Sequence, residues 1–181
     1  NLIKSRSRAL EISSNDVALW MPEYVFDASV EILFKMLLNG GTLIIPSYQD
    51  IQSIEKIKYY LNVHRVTLFA ASPSYLKSLG EFENTSNIRK VITGGEHCSE
   101  TIKQQWRSKL VNEYGPTETT VTATAGSNLS DFPSVNCIGK PVDNVEVYIL
   151  NSALKPVSEG EIGELFIGGV GVARGYLNQP E

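Results

Sequence analysis

Several side chains that can do chemistry stand close together in the segment Asn112–Thr120. Tyr114 offers an aromatic face and Glu118 a carboxylate, while hydroxyls come from Thr117 and Thr119. An aromatic ring can stack on a nucleobase, a hydroxyl can bind a phosphate, and a carboxylate can hold a hard cation such as Mg²⁺. The alternative is a polar loop with one surface glutamate, and the segment by itself leaves both interpretations open.

The position of this segment favours ligand binding. A short strand is predicted directly before it, and Gly115-Pro116 forces a turn. In an open α/β sheet, ligands bind at the carboxyl ends of the strands.

Metal and thiol chemistry find little support in the residue types. The only histidines are His64 and His97, and the only cysteines are Cys98 and Cys137. No Cys-x-x-Cys pair occurs, so a zinc site would lack ligands. Two cysteines do not make a disulfide framework, and a reducing cytoplasm is the simplest location.

Glycine-rich phosphate-binding motifs are incomplete. Gly139-Lys140 is followed by Pro141, which breaks the P-loop pattern. The spacing of Gly169, Gly171 and Gly175 is wrong for a dinucleotide fingerprint. On the residues alone, these glycines are interpreted as parts of β-turns between strands.

The composition is that of an ordinary soluble protein. The 181 residues include 42% hydrophobic and 20% charged residues, with a net charge of −4. A mildly acidic chain argues against a nucleic-acid binder, which usually carries a basic surface. No apolar stretch approaches the ~18 residues that a membrane helix needs. We therefore expect neither a nucleic acid nor a membrane as a partner.

The elements that must position the chemical residues alternate between helix and strand. Apolar residues recur at helical spacing from Phe26 to Leu38, with Asp27 where an N-cap belongs. The pattern then predicts a buried strand over 42–46, a helix over 51–61 and a strand over 66–70.

The alternation continues beyond residue 71. Ser72-Pro73-Ser74 opens another helix. A strand over 89–93, a helix over 99–109 and a short strand over 110–112 follow. This order indicates an α/β fold with a parallel-rich sheet covered by helices.

After Tyr114 the pattern changes to strands, which are predicted over 119–124, 145–150 and 164–167. No helix-length periodic segment occurs there. We expect an α/β part over residues 1–124 that binds substrate and nucleotide, and a β-rich part over residues 125–181 of the same domain.

Three ordered motifs carry a resemblance to a known family. Asn112-Glu-Tyr-Gly-Pro-Thr-Glu118 resembles the signature loop of adenylate-forming enzymes, in the version found in amino-acid-activating adenylation domains of nonribosomal peptide synthetases. Phe26-Asp-Ala-Ser29 resembles the substrate-anchoring motif of that family, and the segment from Gly163 to Leu177 resembles another of its core motifs. Ile92-Thr-Gly-Gly-Glu96 also fits, and the resemblance extends from Asp16 onward.

The resemblance implies an enzyme with a two-step reaction. An amino-acid carboxylate attacks the α-phosphate of ATP, which gives an aminoacyl-adenylate and pyrophosphate. The acyl group then passes to a phosphopantetheine thiol on a carrier domain. The implied cofactors are therefore ATP and Mg²⁺, with phosphopantetheine on the partner. The implied partners are an amino acid and the carrier-protein and condensation domains of a parent synthetase.

The resemblance also assigns a role to individual residues near the nucleotide. Tyr114 would stack on adenine, and Asn112 would bond its exocyclic amine. Backbone at Gly95 and Glu96 would cover the other face of the base. The implied nucleotide-binding set is Gly95, Glu96, Asn112, Tyr114, Gly115 and Thr117, with Thr117 on the α-phosphate and Glu118 on Mg²⁺.

The amino-acid pocket is assigned by position in the family pattern. Asp27 would pair with the α-ammonium of the substrate. The expected lining is Asp27, Ala28, Glu31, Ala70, Ile92, Gly94, Glu113, Val121 and Thr122. Ala70 and Gly94 are small and would leave room for a long side chain.

The carboxylates of this pocket predict a basic substrate. Asp27 and Glu31 are four residues apart and share a helix face, where two bare carboxylates repel each other. Two cations on the ligand would resolve this, and Glu113 would add a second carboxylate near the side-chain charge. Similar family pockets with Glu at this position are associated with basic substrates. We predict lysine or ornithine, then arginine; the alternative is that Glu31 faces solvent or pairs with Lys35.

The motif from Gly163 to Leu177 is interpreted as scaffold. Its glycines suit tight turns, and Glu164 and Arg174 are candidates for an ion pair. The residues assigned to this structural role are Gly163, Glu164, Gly168, Gly171, Arg174 and Gly175.

Some parts of the family pattern are not found. They are a Gly/Ser/Thr-rich phosphate loop upstream of Phe26, a downstream Tyr-x-x-Gly-Asp ribose motif, and a mobile C-terminal subdomain with its catalytic lysine. We therefore expect the chain to be an internal piece of the large N-terminal subdomain that is inactive alone.

Other functions stay open. An acyl-CoA ligase is the nearest rival, although the Asp of the Phe-Asp-x-Ser motif favours an amino acid. A non-catalytic binding or interaction module is the alternative of another class. A metal-dependent hydrolase that uses Asp27, Glu31 and Glu118 has no histidine to support it.

Overall fold

The computed structural model describes residues 1–82, 85–127, 134 and 136–179. The helices are α1 (Leu2–Ala9), α2 (Asp27–Leu37), α3 (Tyr48–Ile51), α4 (Ile54–Val63), α5 (Pro73–Leu79) and α6 (Glu100–Trp106). The first five strands are β1 (Val17–Leu19), β2 (Thr42–Ile44), β3 (Leu68–Ala70), β4 (Lys90–Gly94) and β5 (Leu110–Tyr114). The last four are β6 (Thr124–Ser127), β7 (Lys140–Pro141), β8 (Val145–Leu150) and β9 (Glu164–Gly169). Short 3₁₀ turns cover Thr85–Asn87, Arg107–Lys109 and Thr117–Thr119.

Seven strands form one sheet in the order β2-β1-β3-β4-β5-β6-β7. The first five are parallel, and β6 and β7 join antiparallel. Strands β8 and β9 form a separate antiparallel pair. The expected α/β class with a parallel-rich sheet is confirmed. The division into residues 1–124 and 125–181 stays a prediction, with β6 beginning at Thr124 and bonded to β5.

Both faces of the sheet are covered. On one face Phe69, Val91 and Leu110 pack with side chains from α4, α5 and α6, including Ile102 and Trp106. The other face is covered by α2, through Ile32 and Met36 against Ala18 and Leu68, and by the end of α1, through Leu10 against Ile92 and Val111. A parallel sheet buried on both faces explains the short, almost continuously apolar strands.

Helix α2 begins one residue earlier than an N-cap at Asp27 would give, because Phe26 is its N-cap. Asp27 is the first helical residue, so its predicted N-cap role is wrong. Its carboxylate still lies at the positive end of the helix dipole, where an anion is stabilised. This placement leaves the side chain available to contact a neighbouring loop.

Two further elements differ from the pattern. The strand predicted to be buried is the edge strand β2, and it is only partly covered. The helix predicted over 51–61 is two helices, because Ser53 caps a new N-terminus by accepting a hydrogen bond from the backbone of Lys56. A serine that bonds the backbone locally competes with helix continuation.

The strand predicted over 119–124 is wrong. After Pro116 the chain forms a 3₁₀ turn, and Thr120 and Val121 follow with φ of 64° and 62°. Left-handed backbone is costly for β-branched residues and ends any strand there. Tertiary contacts of this loop override the β-propensity of its Thr and Val residues.

Helix α1 was not predicted, because three of its four buried residues are polar: Ser5, Arg6 and Ser7 are buried together with Leu2. Its position depends on partners far along the chain, including Glu113 and Asp143. Among the described residues, no helix is long and apolar enough to cross a membrane.

Candidate active site

The residues singled out from the sequence gather at the carboxyl ends of three neighbouring strands. β3, β4 and β5 end at Ala70, Gly94 and Tyr114, and they lie side by side in the sheet. Backbone at Gly94 pairs with Glu113 across the β4–β5 ladder. The loops that follow these strands are therefore neighbours at one edge.

Strand alternation sorts the candidate residues between the two faces of the sheet. Ile92 and Val111 face α1, so Glu113, two residues further along β5, faces the same side. Leu110 faces the α6 side, as do Asn112 and Tyr114 by the same alternation. The predicted amino-acid residues thus lie on the α1–α2 side, and the predicted base-binding residues lie on the other. The loop after Tyr114 passes between the two sets.

Two carboxylates of α2 accept hydrogen bonds from this loop. The Thr117 hydroxyl donates to Oδ2 of Asp27 at 2.5 Å. One helical turn later, the Thr122 hydroxyl donates to Oε2 of Glu31 at 2.9 Å. Asp27 of the predicted amino-acid anchor therefore contacts the threonine predicted to bind phosphate.

Behind these contacts lies a wall of largely buried charged side chains, which consists of Arg6, Glu31, Lys35 and Glu113. Lys35 Nζ lies 2.9 Å from Oε1 of Glu31, and both side chains are at most 5% exposed. Arg6 donates through Nε and Nη2 to Oε1 of Glu113 at 2.8 and 2.6 Å. The premise that Glu31 is a bare carboxylate is therefore wrong, and the alternative that it pairs with Lys35 is the one observed. Glu113 also has a cationic partner, Arg6.

Burial and charge act differently on the two glutamates. Burial raises the pKa of Glu31 above its ordinary value, and although Lys35 opposes this, Glu113 adds to it. Burial would also raise the pKa of Glu113, but Lys35 and Arg6 outweigh it and lower that pKa. Burial would lower the pKa of Lys35, yet the two glutamates raise it. Lys35 is therefore held as a cation.

Base-binding candidates are partly accessible. Tyr114 is 40% exposed at the end of β5. Asn112 is buried, and its amide Nδ2 donates to the carbonyl of Cys137 at 3.1 Å. Its Oδ1 atom is the acceptor that an adenine amine would need.

The loop after β4 is tied down by a side chain. Gly95 has φ of 78°, a backbone conformation that suits glycine. Glu96 accepts hydrogen bonds from the backbone and hydroxyl of Ser74, in the first turn of α5. The hydrogen bond from Ser74 lowers the pKa of Glu96. This contact fixes the backbone predicted to lie over a nucleobase.

The metal-binding candidate Glu118 is exposed, and in the described part of the chain its side chain bonds to Tyr176. The Tyr176 hydroxyl donates to Oε1 of Glu118 at 2.6 Å, which lowers the pKa of Glu118. The segment around Tyr176 is also held to the loop by backbone, since Ala173 N–H donates to the Glu118 carbonyl at 2.7 Å. Thr120 adds a hydrogen bond to the carbonyl of Gly171 at 2.6 Å.

Some predicted pocket residues do not line an open space. Ala28 is exposed, while Ile92 packs in the core with Ala70 beside it. A Cβ at Gly94 would lie 2.3 Å from the Glu113 carbonyl oxygen. Gly94 therefore allows close strand contact and does not create room for a long side chain, contrary to expectation. Val121 is half-buried in its left-handed conformation.

A small cavity of about 130 Å³ adjoins this wall, beside Thr122, Leu2, Val142 and Gly171. Its lining does not include Asp27 or Glu118, so it is not the predicted amino-acid site.

The scaffold motif is built as turns and strand. Glu164 begins β9 directly after Gly163 and pairs with Leu150 across the hairpin, and Gly168 lies opposite Glu146. Gly171, Arg174 and Gly175 follow in the loop that reaches Glu118. Within the described residues, Glu164 and Arg174 do not form the expected ion pair.

Three contacts could not be found from the sequence. Arg6 lies 107 positions from its partner Glu113, on a helix with no sequence signal. Tyr176 lay inside a motif interpreted as scaffold, 58 positions from Glu118. Ser74 was assigned only to a helix start. Lys35 had a usable signal, because it stands four residues after Glu31 on an amphipathic helix.

Comparison with known proteins gives a consistent family. The family described as AMP-binding enzyme matches residues 1–177. Tyrocidine synthase 1 of Brevibacillus parabrevis is 42% identical over 161 residues, covering 86% of this chain and 15% of that protein. Bacitracin synthase 3 of Bacillus licheniformis is 32% identical over 183 residues, covering 100% of this chain and 3% of that protein. The chain thus spans only a small part of the length of these relatives.

Solved structures show the same fold. A crystal structure of holo-AB3403, a four-domain nonribosomal peptide synthetase bound to AMP and glycine, has a TM-score of 0.90 and 29% identity, covering 98% of this chain and 14% of that chain. O-succinylbenzoate coenzyme A synthetase from Bacillus subtilis, in complex with ATP and magnesium, has a TM-score of 0.85 and 23% identity. The match covers 98% of this chain and 38% of that chain. At that identity the second shows the fold alone. The motifs, the fold and the match over residues 1–177 agree, and the chain belongs to the AMP-binding enzyme family, with the large-subdomain fold of an adenylation domain.

Proposed function

We propose that the domain containing this chain activates an amino acid as its aminoacyl-adenylate for nonribosomal peptide synthesis. The observation that carries the proposal is the 2.5 Å hydrogen bond between Thr117 and Asp27. It joins the residue proposed for the α-ammonium to the residue proposed for the α-phosphate, at the edge where α/β sheets bind ligands. The relatives that are peptide synthases support the same class.

The proposed chemistry is carboxylate attack on the α-phosphorus of ATP. A new carboxylate O–P bond forms, the bond to the β-phosphate oxygen breaks, and pyrophosphate leaves with the electron pair. No proton moves in this step, so positioning and charge neutralisation are the main needs. Asp27 would orient the substrate through its α-ammonium. The single hydroxyl proton of Thr117 would turn from Asp27 to an α-phosphate oxygen when the ligands are bound.

The donor set at Glu118 fits Mg²⁺ bound together with a nucleotide. Mg²⁺ usually takes one or two protein carboxylates and completes its octahedron with phosphate oxygens and water. Glu118 is an exposed, ionised carboxylate at the ligand-binding edge. The described residues hold no cluster of three or more His, Cys, Asp or Glu side chains that could bind a metal ion by themselves. When bound, Mg²⁺ would neutralise phosphate charge.

The second proposed step transfers the acyl group to a thiol. A phosphopantetheine thiolate on a carrier domain attacks the acyl carbon, a thioester forms, and AMP leaves. The proposed partners are therefore the carrier and condensation domains of a parent synthetase, in the cytoplasm. In the family pattern the catalytic lysine lies in the mobile C-terminal subdomain, and no lysine of this chain is assigned that role. We therefore expect the 181 residues alone to support little or no adenylation.

The proposed side chain of the substrate is basic, with lysine or ornithine ahead of arginine. Support comes from two acidic residues, Glu31 and Glu113, that meet at the Thr122 hydroxyl at 2.9 and 3.4 Å. A neutral side chain is the second candidate. It is favoured by the ion pairs to Lys35 and Arg6, which leave the wall with two cations and two anions.

Amino-acid-dependent ATP–pyrophosphate exchange in the intact domain tests the proposal. Glu118→Ala should lower exchange by about 100-fold or more, because it removes transition-state charge stabilisation. Tyr114→Ala should mainly raise the KM for ATP, because lost stacking is a ground-state effect. Exchange without any amino-acid dependence, or an unaffected Glu118→Ala variant, would refute the assignment.

The same assay separates the alternatives. An acyl-CoA ligase would adenylate acids that lack an α-ammonium, and Asp27→Ala would leave their turnover unchanged. A non-catalytic module would bind partners but would give no ATP–pyrophosphate exchange with any amino acid.

A further inference from the structure

The wall formed by α2 carries its own cation beside the proposed substrate site. Asp27, Glu31 and Lys35 stand at successive turns of one helix face. With a rise of 1.5 Å per residue, adjacent members of this series are separated by about 6 Å along the axis. A substrate whose α-ammonium binds Asp27 would thus bring a cationic side-chain terminus to Glu31, where Lys35 is already present.

Glu31 has the capacity to accept another donor. Its Oε2 atom accepts from Thr122 at 2.9 Å. Its Oε1 atom lies 2.9 Å from Lys35 Nζ. Each carboxylate oxygen has two lone-pair directions, so Oε1 can accept a further donor beside Lys35.

The second carboxylate of the cluster, Glu113, also has a cationic partner. Glu113 is neutralised by Arg6 through two hydrogen bonds, and its other oxygen is 3.4 Å from the Thr122 hydroxyl. Glu31 and Glu113 are therefore each paired with a cation before a ligand arrives. A cationic side chain that approaches Glu31 meets the positive charge of Lys35 at close range.

We infer that Lys35 is a specificity-determining residue: its resident ammonium occupies Glu31 and limits the preference of the site for cationic side chains. This inference rests on the proposed function. Lys35 acts through Glu31 and does not touch the reacting atoms. A purely structural role would not require a charge, since a buried ion pair is often replaced by apolar residues without loss of stability.

Lysine and norleucine are the probes, because they differ by the side-chain ammonium. The ratio of their kcat/KM values in amino-acid-dependent exchange is measured in the intact domain. Lys35→Met should raise the lysine-to-norleucine ratio by about tenfold or more, at the lower end of coupling between close buried charges. Lys58→Met is the matched control, because Lys58 pairs with Glu55 at 3.8 Å on the distant helix α4. That ratio should stay unchanged.

Lys35→Met leaves Glu31 buried without a cation and can prevent folding. The comparison of Glu31→Gln with Glu31→Gln/Lys35→Met avoids this, since the double variant has no unpaired charge at these two positions. The second substitution should again raise the lysine-to-norleucine ratio, by removing repulsion. An unchanged ratio in this comparison, or in a folded Lys35→Met domain, overturns the inference. If the unmodified domain activates no amino acid, the proposed function itself is wrong.

Discussion

At the scale of single residues, threonine hydroxyls connect the loop after Tyr114 to helix α2 in the candidate site. Thr117 and Thr122 each donate to a carboxylate of α2, and the two carboxylates are one helical turn apart. A hydroxyl donates a hydrogen bond without adding a charge, so Asp27 has no cationic partner in this contact. The same geometry fixes the register between the helix and the loop.

Tyr176 orients the proposed metal ligand, and Tyr176→Phe tests this. The substitution removes the 2.6 Å hydrogen bond to Glu118 and keeps the ring. We expect exchange activity of the intact domain to fall about tenfold, as for other residues that orient metal ligands. Binding of Mn²⁺ with ATP, measured by electron paramagnetic resonance, should weaken in parallel.

The same chain offers a matched control for this variant. The Tyr148 hydroxyl donates to Glu146 at 2.8 Å in the exposed β8 strand. Tyr148→Phe should leave both activity and Mn²⁺ binding unchanged. Equal effects of the two substitutions would show that the Tyr176 hydroxyl has no special role.

At the scale of elements, the close contact between β4 and β5 holds the site together. Gly94 lies opposite Glu113, and a Cβ there would be 2.3 Å from a carbonyl oxygen. The two strands would have to separate, which would move Glu113 away from Arg6. The missing side chain therefore has a structural purpose.

Gly94→Ala should lower the free energy of unfolding by about 1–3 kcal/mol, because overpacking forces backbone shifts. Gly168→Ala in β9 is the control, since its nearest neighbour atoms would be 3.8 Å from the new Cβ. We expect that change to stay within about 0.5 kcal/mol. Urea unfolding of both variants checks this, and equal stability of the two would contradict it.

At the scale of the whole molecule, a further ion pair, between Arg89 and Asp16, lies at the opposite edge of the sheet. Arg89 donates to both oxygens of Asp16 at 2.7 and 2.8 Å, and to the Leu10 carbonyl at the end of α1. Thr67 adds a hydrogen bond to Asp16 at 2.7 Å. This cluster ties the first helix to the starts of β1, β3 and β4.

The Asp16 cluster makes stability depend on acid pH. Burial would raise the pKa of Asp16, but hydrogen bonds from Arg89, Thr67 and Ser13 and the Arg89 charge lower it to about 2. Because the folded pKa lies below the unfolded value, the stabilisation is complete above about pH 4 and is lost as pH falls towards 2.

Asp16→Asn should therefore cost about 2 kcal/mol at neutral pH, as for other carboxylates whose pKa falls to about 2 on folding. The difference from the unmodified chain should shrink between about pH 4 and pH 2 in denaturant unfolding. Asp143→Asn is the control, because Arg8 and Asp143 form an exposed pair at 3.2 Å. A pH-independent difference for Asp16→Asn would contradict the linkage.

Sequence patterns alone were enough to predict the alternation of helices and strands, and with it the edge where the candidate residues meet. Local signals suffice for this, because hydrophobic period and capping residues act within a few positions. The motif resemblance added the family, which the match over residues 1–177 confirms.

The pairing of the charged side chains could be seen only in the tertiary structure. Arg6 meets Glu113 across 107 positions and Tyr176 meets Glu118 across 58, and no local pattern encodes such contacts. The loop at Thr120 and Val121 took left-handed backbone against its β-propensity, because contacts with the segment around Gly171 fix it. Whether a buried carboxylate is bare or paired depends on chain segments that fold together, so the charge of the proposed pocket could not be derived from its own residues.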